Sequence, residues 1–348
     1  MIKKIVTTCP DESQRVPAVA AARAAVEELC GRLGLGVVRE ALPGADLVAR
    51  LRSGLSWPGP GVLLRAADGW VHPGPPISWR EFTRMARAMG AGPPSVSSSP
   101  DRRLPDITGL SAEAVDAMAG LWRLPAVAVR APPPVVGGVA PDVPDPASVR
   151  GARVITMGVT WATPLTGLAL ARLGVDVTRI EHPRRPDPFP LRDALADGQR
   201  RVGLDLDDPR DRERMLQLLE ESDLLIDGNT PRVLRNFGLA PEVLAREFPK
   251  LRQLALTAFS DDDRPGYGLA AECRGGWAAR TDPPRLGRTS TVDPIAGLIA
   301  AVTAVNLLAT TPVAPVRLGL DTGVAYLFDV VHRRRSKEGG RFSEGGRL

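Results

Sequence analysis

Residues that bind metals or form crosslinks are scarce in this sequence. Its 348 residues include three histidines and three cysteines, Cys9, Cys30 and Cys273. The cysteines are odd in number, lack C-x-x-C spacing and have no histidine cluster beside them, so neither a disulfide framework nor a zinc site is expected. Buried free thiols are the expected state. Long hydrophobic runs are missing too. The longest apolar stretch, Pro294 to Ala309, is interrupted by Gly297 and Asn306. It stops short of the roughly 20 residues that cross a bilayer, so no membrane helix and no membrane partner are expected. The opening residues, MIKKIVTTCPDESQRV, contain no apolar core of a secretory signal, and a cytoplasmic location follows as the expectation. No internal repeat of fixed period occurs.

What is present has the balance of a soluble globular protein, 43% hydrophobic and 24% charged residues. The length suits two ordinary domains, or one large α/β domain with an appended lobe. The net charge of +5 comes mostly from arginines spread along the chain. The one dense run, Arg333 to Arg335 with Lys337, reads as a solvated tail, and no nucleic-acid partner is expected.

Ala131 to Ser148, APPPVVGGVAPDVPDPAS, is too rich in proline and glycine for helix or central strand and reads as a linker. Behind it, short β-branched runs alternate with helical stretches. Strands are expected at 152–158, 175–181, 200–206, 223–228 and 251–259. Helices are expected from Pro164 to Gly174, over DPRDRERMLQLLEES, and in RVLRNFG and APEVLAREF. Such alternation implies an α/β fold, a doubly wound and mostly parallel sheet that binds ligands beyond the carboxyl ends of its strands. The front of the chain reads as a smaller α+β lobe. It has helices over 17–33, 79–89 and 111–124, a hairpin turning at Asp68-Gly69, and a strand at AVAVR. The expected units are thus 1–130, the linker 131–148, the core 149–332, and a disordered basic tail 333–348.

Within the core, the string RGARVITMGVTWATPLTGLALARLGVDVTRIEHP resembles the opening βαβ unit of the family III CoA-transferases of CaiB/BaiF type. In that family a strand meets a turn with a small residue before proline, then a helix ending in leucine-glycine and a strand ending in glutamate. The segment from Arg200 to Leu239 is similar to that family's leucine-aspartate strand, helix and Asp-containing strand. RPGYGLAAECRGGWAA resembles its Gly-Tyr-Asp and Ser-Gly elements, and TVDPIAGLIAAVTAVNLLA its aspartate-led catalytic helix. More weakly, LLRAADGWVHPGPPISWREFTRMARAMG and LWRLPAVAVR resemble the family's smaller domain, which ordinarily follows the catalytic helix.

The resemblance implies a Rossmann-like CoA-transferase with Asp293 as its catalytic carboxylate. Coenzyme A would enter as acyl-CoA, a carboxylic acid would accept it, no metal would be needed, and the chain would form a homodimer. The positions that the resemblance assigns to CoA contact are Trp161 and Ala162 in the first turn, His182, the segment Leu204, Asp205, Leu206 and Asp207, and Arg232 and Arg235 as phosphate partners. The racemases of this fold carry a histidine where this chain has Tyr267. A phenol near its ordinary pKa of about 10 makes a poor base, which disfavours that branch. The residues leave other readings open. Asp293 has the place of an ordinary aspartate N-cap, Trp161 that of a core aromatic, and His182 that of a surface histidine. The alternative function is a non-catalytic or repurposed member that binds or scaffolds, or does acid/base work on a specialised metabolite.

Overall fold

The computed structural model describes residues 5–7, 12–38, 61–93, 104–133, 143–287, 289–311 and 314–343. Cys9, half of the linker (134–142) and residues 344–348 lie outside them. In chain order the strands are β1 Ile5–Thr7, β2 Val62–Arg65, β3 Trp70–His72, β4 Val127–Ala128, β5 Arg153–Met157, β6 Asp176–Glu181, β7 Arg200–Gly203, β8 Leu224–Asp227, β9 Arg252–Thr257 and β10 Val316–Gly319. The helices are α1 Glu12–Arg32, α2 Trp79–Ala88, α3 Ala112–Leu121, α4 Ala162–Arg172, α5 Arg192–Leu195, α6 Pro209–Glu220, α7 Pro231–Asn236, α8 Pro241–Glu247, α9 Gly268–Arg274, α10 Val292–Ala309 and α11 Asp321–Ser343.

Strands β5 to β10 form one parallel sheet in the order β10-β9-β8-β5-β6-β7. Read from β5 as the first strand, this is the 3-2-1-4-5-6 winding, whose order reverses between β5 and β8. The doubly wound expectation therefore describes the fold. Successive strand residues face opposite layers: Val154, Leu224, Ile226, Leu254 and Leu256 pack with α1, α4, α10 and α11, whereas Ile155, Met157 and Leu225 pack with α6, α7 and α8. Burial on both faces explains why these strands read as near-continuous apolar runs.

The four front strands form an antiparallel sheet in chain order. Val62, Leu64, Val71 and Ala128 face α2 and α3. Leu63, Trp70, Val127 and Val129 face Phe259, Ala270, Cys273 and Ala278 of the parallel-sheet core. A buried arginine pins the same contact. Arg264, in the loop after β9, donates to Asp116 Oδ1 of α3 at 2.7 Å and to the Ala126 carbonyl at 3.0 Å, and its Nε donates to Asp262 at 2.6 Å.

Several expectations need correction. Helix α1, grouped by sequence with the front lobe, packs instead against α10 and α11, with Ala22, Ala25, Val26 and Leu29 buried in the core. Residues 333–343, expected in a disordered tail, continue α11. Arg333 anchors this stretch by pairing with Asp329 at 2.8 Å on the same helix and with Glu28 of α1 at 3.0 Å. The strand expected over 200–206 ends at Gly203, and the one expected over 126–130 shortens to two residues. Strand β10 adds a sixth member to the sheet, one the sequence reading omits. Helix α10 is 18 residues long and apolar enough to cross a membrane, but here it is the buried centre of a layer. Cys30 and Cys273 are buried free thiols.

Candidate active site

Asp293 lies in the first turn of α10, two residues after the Thr291 N-cap. It is not an N-cap itself. The Ser290 hydroxyl takes the capping role, accepting from the backbone N–H groups of Val292 and Asp293, each at 3.2 Å. The Asp293 carboxylate is thus free of its own helix end. It accepts from the Gly268 N–H at the start of α9 and from the Ser290 hydroxyl. Gly268 comes so close that a Cβ there would overlap both Ser290 Oγ and Asp293 Oδ2, so glycine is a packing requirement at this position. One turn along α10, Gly297 meets the backbone of Ala162. A Cβ at 297 would stand 2.7 Å from the Ala162 carbonyl oxygen, and Thr166 Oγ1 donates to the carbonyls of both Ala162 and Gly297 at 2.9 Å. The α10 start is thereby fixed near the β5–α4 turn, on the carboxyl side of the sheet.

A second acid, Glu272 of α9, lies beside Asp293 and is 2% exposed. Its Oε1 accepts from the Thr291 N–H at 2.6 Å, from Thr291 Oγ1 at 2.8 Å and from Ser290 Oγ at 3.4 Å. Burial raises the Glu272 pKa, against the lowering effect of the Thr291 bonds and the Arg280 charge. Desolvation raises Asp293 to about 7; the Ser290 bond opposes this and the neighbouring Glu272 charge adds to it. Part of Asp293 nevertheless remains accessible to solvent. Tyr267, next to Gly268, is 40% exposed, and burial of its inner part raises the phenol above its ordinary value, away from a base's range.

The residues expected at a CoA site divide into two groups. Trp161, Ala162, Leu204 and Leu206 have buried side chains. Trp161 lies against Phe189 with ring centroids 5.5 Å apart, so its ring belongs to the core and leaves only the turn's backbone to face a ligand. The surface group gathers beyond β6 and β7. His182 Nδ1 accepts from the Arg184 N–H at 3.1 Å, and its Nε2 is 3.6 Å from Asp205. Asp205 pairs with Arg184 and accepts from the Asp207 N–H at 3.2 Å, while Asp207 is exposed. A buried pair braces this edge: Arg179 donates to Asp187 at 2.9 Å, and Asp187 accepts the Thr160 N–H of the β5–α4 turn at 2.9 Å. Arg232 and Arg235 are exposed on α7. Sequence reasoning missed Glu272, Ser290 and Gly268. A lone acid within the otherwise apolar string GLAAEC was the available signal for Glu272.

Comparisons with known proteins match this architecture. Residues 149–311 match the profile of CoA-transferase family III. The chain is 29% identical over 175 residues to the succinyl-CoA–L-malate CoA-transferase beta subunit of Chloroflexus aurantiacus, covering 44% of this chain and 43% of that one. It is 27% identical over 187 residues to the succinyl-CoA–D-citramalate CoA-transferase of the same organism, covering 47% and 46%. The chain therefore spans about half the length of these relatives. A crystal structure of a hypothetical protein from Mycobacterium tuberculosis superposes with a TM-score of 0.45 at 23% identity, covering 54% of this chain and 57% of that one. The part of this chain that matches CoA-transferase family III, residues 149–311, holds most of the parallel sheet and all of α10.

Proposed function

We propose that this protein transfers coenzyme A between carboxylic acids, with Asp293 as the nucleophile. The observation that carries the reading is the Asp293 carboxylate. It does not cap its own helix, and it is held by a backbone N–H and a hydroxyl beside the β5–α4 turn. In the reaction, a carboxylate oxygen attacks the thioester carbon of the donor. The C–S bond breaks, CoA leaves as thiolate, and a mixed anhydride forms. The thiolate then attacks the Asp293 carbonyl carbon, releasing the donor acid and leaving an aspartyl-CoA thioester. The acceptor carboxylate displaces CoA from it to give a second anhydride. The thiolate finally attacks the acceptor's acyl carbon and frees Asp293. The Gly268 N–H and Ser290 hydroxyl are positioned to donate to an oxyanion on the Asp293 carbon.

In this reading CoA lies across the backbone of the turn at Trp161 and Ala162. Its adenosine and phosphates lie toward His182, Leu204 to Asp207, and the exposed Arg232 and Arg235. A homodimer is part of the proposal. Because both Chloroflexus relatives are named for succinyl-CoA, that thioester is the first donor to test. Incubation with succinyl-CoA followed by hydroxylamine is expected to convert Asp293 to a hydroxamate, detectable by peptide mass spectrometry and absent from Asp293→Asn. A second reading, a member that has given up CoA chemistry, draws on the core position of the Trp161 ring and the existing pairing of Asp205 with Arg184. It predicts no adduct and no thermal shift with CoA.

A further inference from the structure

Glu272 and Asp293 come from different helices, yet one hydroxyl lies between them. Ser290 Oγ donates toward Glu272 Oε1 at 3.4 Å and also bonds the Asp293 carboxyl, and a hydroxyl has a single proton to give. Three donors converge on one oxygen of Glu272, Oε1, and the Val292 N–H also bonds this carboxylate. Two acids this near each other in a desolvated setting do not ionise independently. We propose that Glu272 is a positioning residue for Asp293, acting through the Ser290 hydroxyl so that the two acids share one negative charge until Asp293 is acylated. Acylation makes the Asp293 side chain neutral: the shared charge departs with the thiolate, and the shared proton stays on Glu272. The role deepens the transferase reading and rests on it, while the coupling itself does not.

Among the surrounding charges Arg280 acts on Glu272, and the others are engaged elsewhere. From α9 and its flanks come the Tyr267 phenol and the Arg280 guanidinium, which lies over the Trp277 ring at 3.4 Å with its Nε on the Trp277 carbonyl. From α1, Glu28 is engaged with Arg32 and Arg333. From α11, Asp321 accepts from Ser260 and Asp329 pairs with Arg333. Asp227, at the end of β8, is bonded to Asn229, and Arg252 of β9 donates to the Thr310 carbonyl. Helix α4 faces α10 with Thr166, which does not titrate.

Carbodiimide coupling of Asp293 to an amine, followed by peptide mass spectrometry across pH, reads this coupling without any CoA chemistry, because the reagent needs the protonated carboxyl. Glu272→Gln keeps an acceptor oxygen for Thr291 and removes the charge, so the midpoint for Asp293 is expected to fall by about one pH unit. Ser290→Ala removes a bond that favours the Asp293 carboxylate, so its midpoint is expected to rise. A midpoint unchanged in Glu272→Gln overturns the proposal. Should that variant fail to fold by circular dichroism, an unchanged midpoint in Ser290→Ala overturns it equally. If wild-type protein gives no hydroxamate with succinyl-CoA, the transferase reading fails, and the carbodiimide midpoints still decide the coupling.

Discussion

At position 268 a missing side chain sets what the Asp293 carboxylate can do. Gly268→Ala places a methyl group into Ser290 Oγ and Asp293 Oδ2. An overpacking cost of about 1–3 kcal/mol is expected, together with loss of hydroxamate formation; thermal melts and the succinyl-CoA assay measure the two effects. Asp293, raised to about 7 by burial, is protonated and non-nucleophilic at lower pH. Hydroxamate yield is therefore expected to rise with pH through about 7, and a yield flat between pH 5 and 8 would refute this. Asp227 gives a stability counterpart. It is 6% exposed, and burial raises it to about 7. The unfolded chain releases this proton near pH 4, while the folded protein holds it to about 7. Its contribution is thus complete below about pH 4 and lost as pH rises through about 7. Asp227→Asn keeps the acceptor for both Asn229 bonds and should stabilise the fold by roughly 2–4 kcal/mol at pH 8, with little change at pH 4. Urea melts showing equal gains at both pH values would contradict it. The place of Asp293 at the head of an apolar helix was legible in the sequence because it is written in a local string. Glu272 was not, because its meaning arises only when α9 folds back onto the start of α10.

Among the elements, those buried on both faces were legible. VITM and LLID can be little other than interior strands, and prolines mark the starts of α6, α7 and α8. β10 escaped because its residues VRLG are partly exposed and include an arginine, so no apolar run announces it. Its Arg317 is placed only by long-range partners, the Phe259 carbonyl at 2.9 Å and Asp263 at 2.6 Å. Helix α1 was legible as a helix but not in its location, since an alanine-rich face fits any shallow groove. The seam between α3 and the loop after β9 yields its own prediction. Asp116→Ala leaves Arg264 buried with Asp262 as its remaining carboxylate, and a loss of about 3 kcal/mol is expected. Replacing both residues, Asp116→Leu with Arg264→Met, should recover most of it. Denaturant midpoints distinguish the outcomes, and a single variant as stable as wild type would show the seam to be energetically idle.

For the molecule as a whole, alternating strands and helices were enough to give the class of fold. They did not show that the antiparallel lobe docks through Leu63 and Val127 onto Phe259, because such a seam is written in residues far apart in the chain. Helix α10 carries the consequence that reaches furthest. Its apolar surface is covered by α1 and α4, made earlier, and by α11, made later. During synthesis on the ribosome, a greasy cylinder of 18 residues is therefore finished before its last cover has emerged. Until then it is a target for chaperones or for sticking to other nascent chains. Protein stopped just before Asp321 is expected to pellet on expression, whereas the full sequence remains in the supernatant.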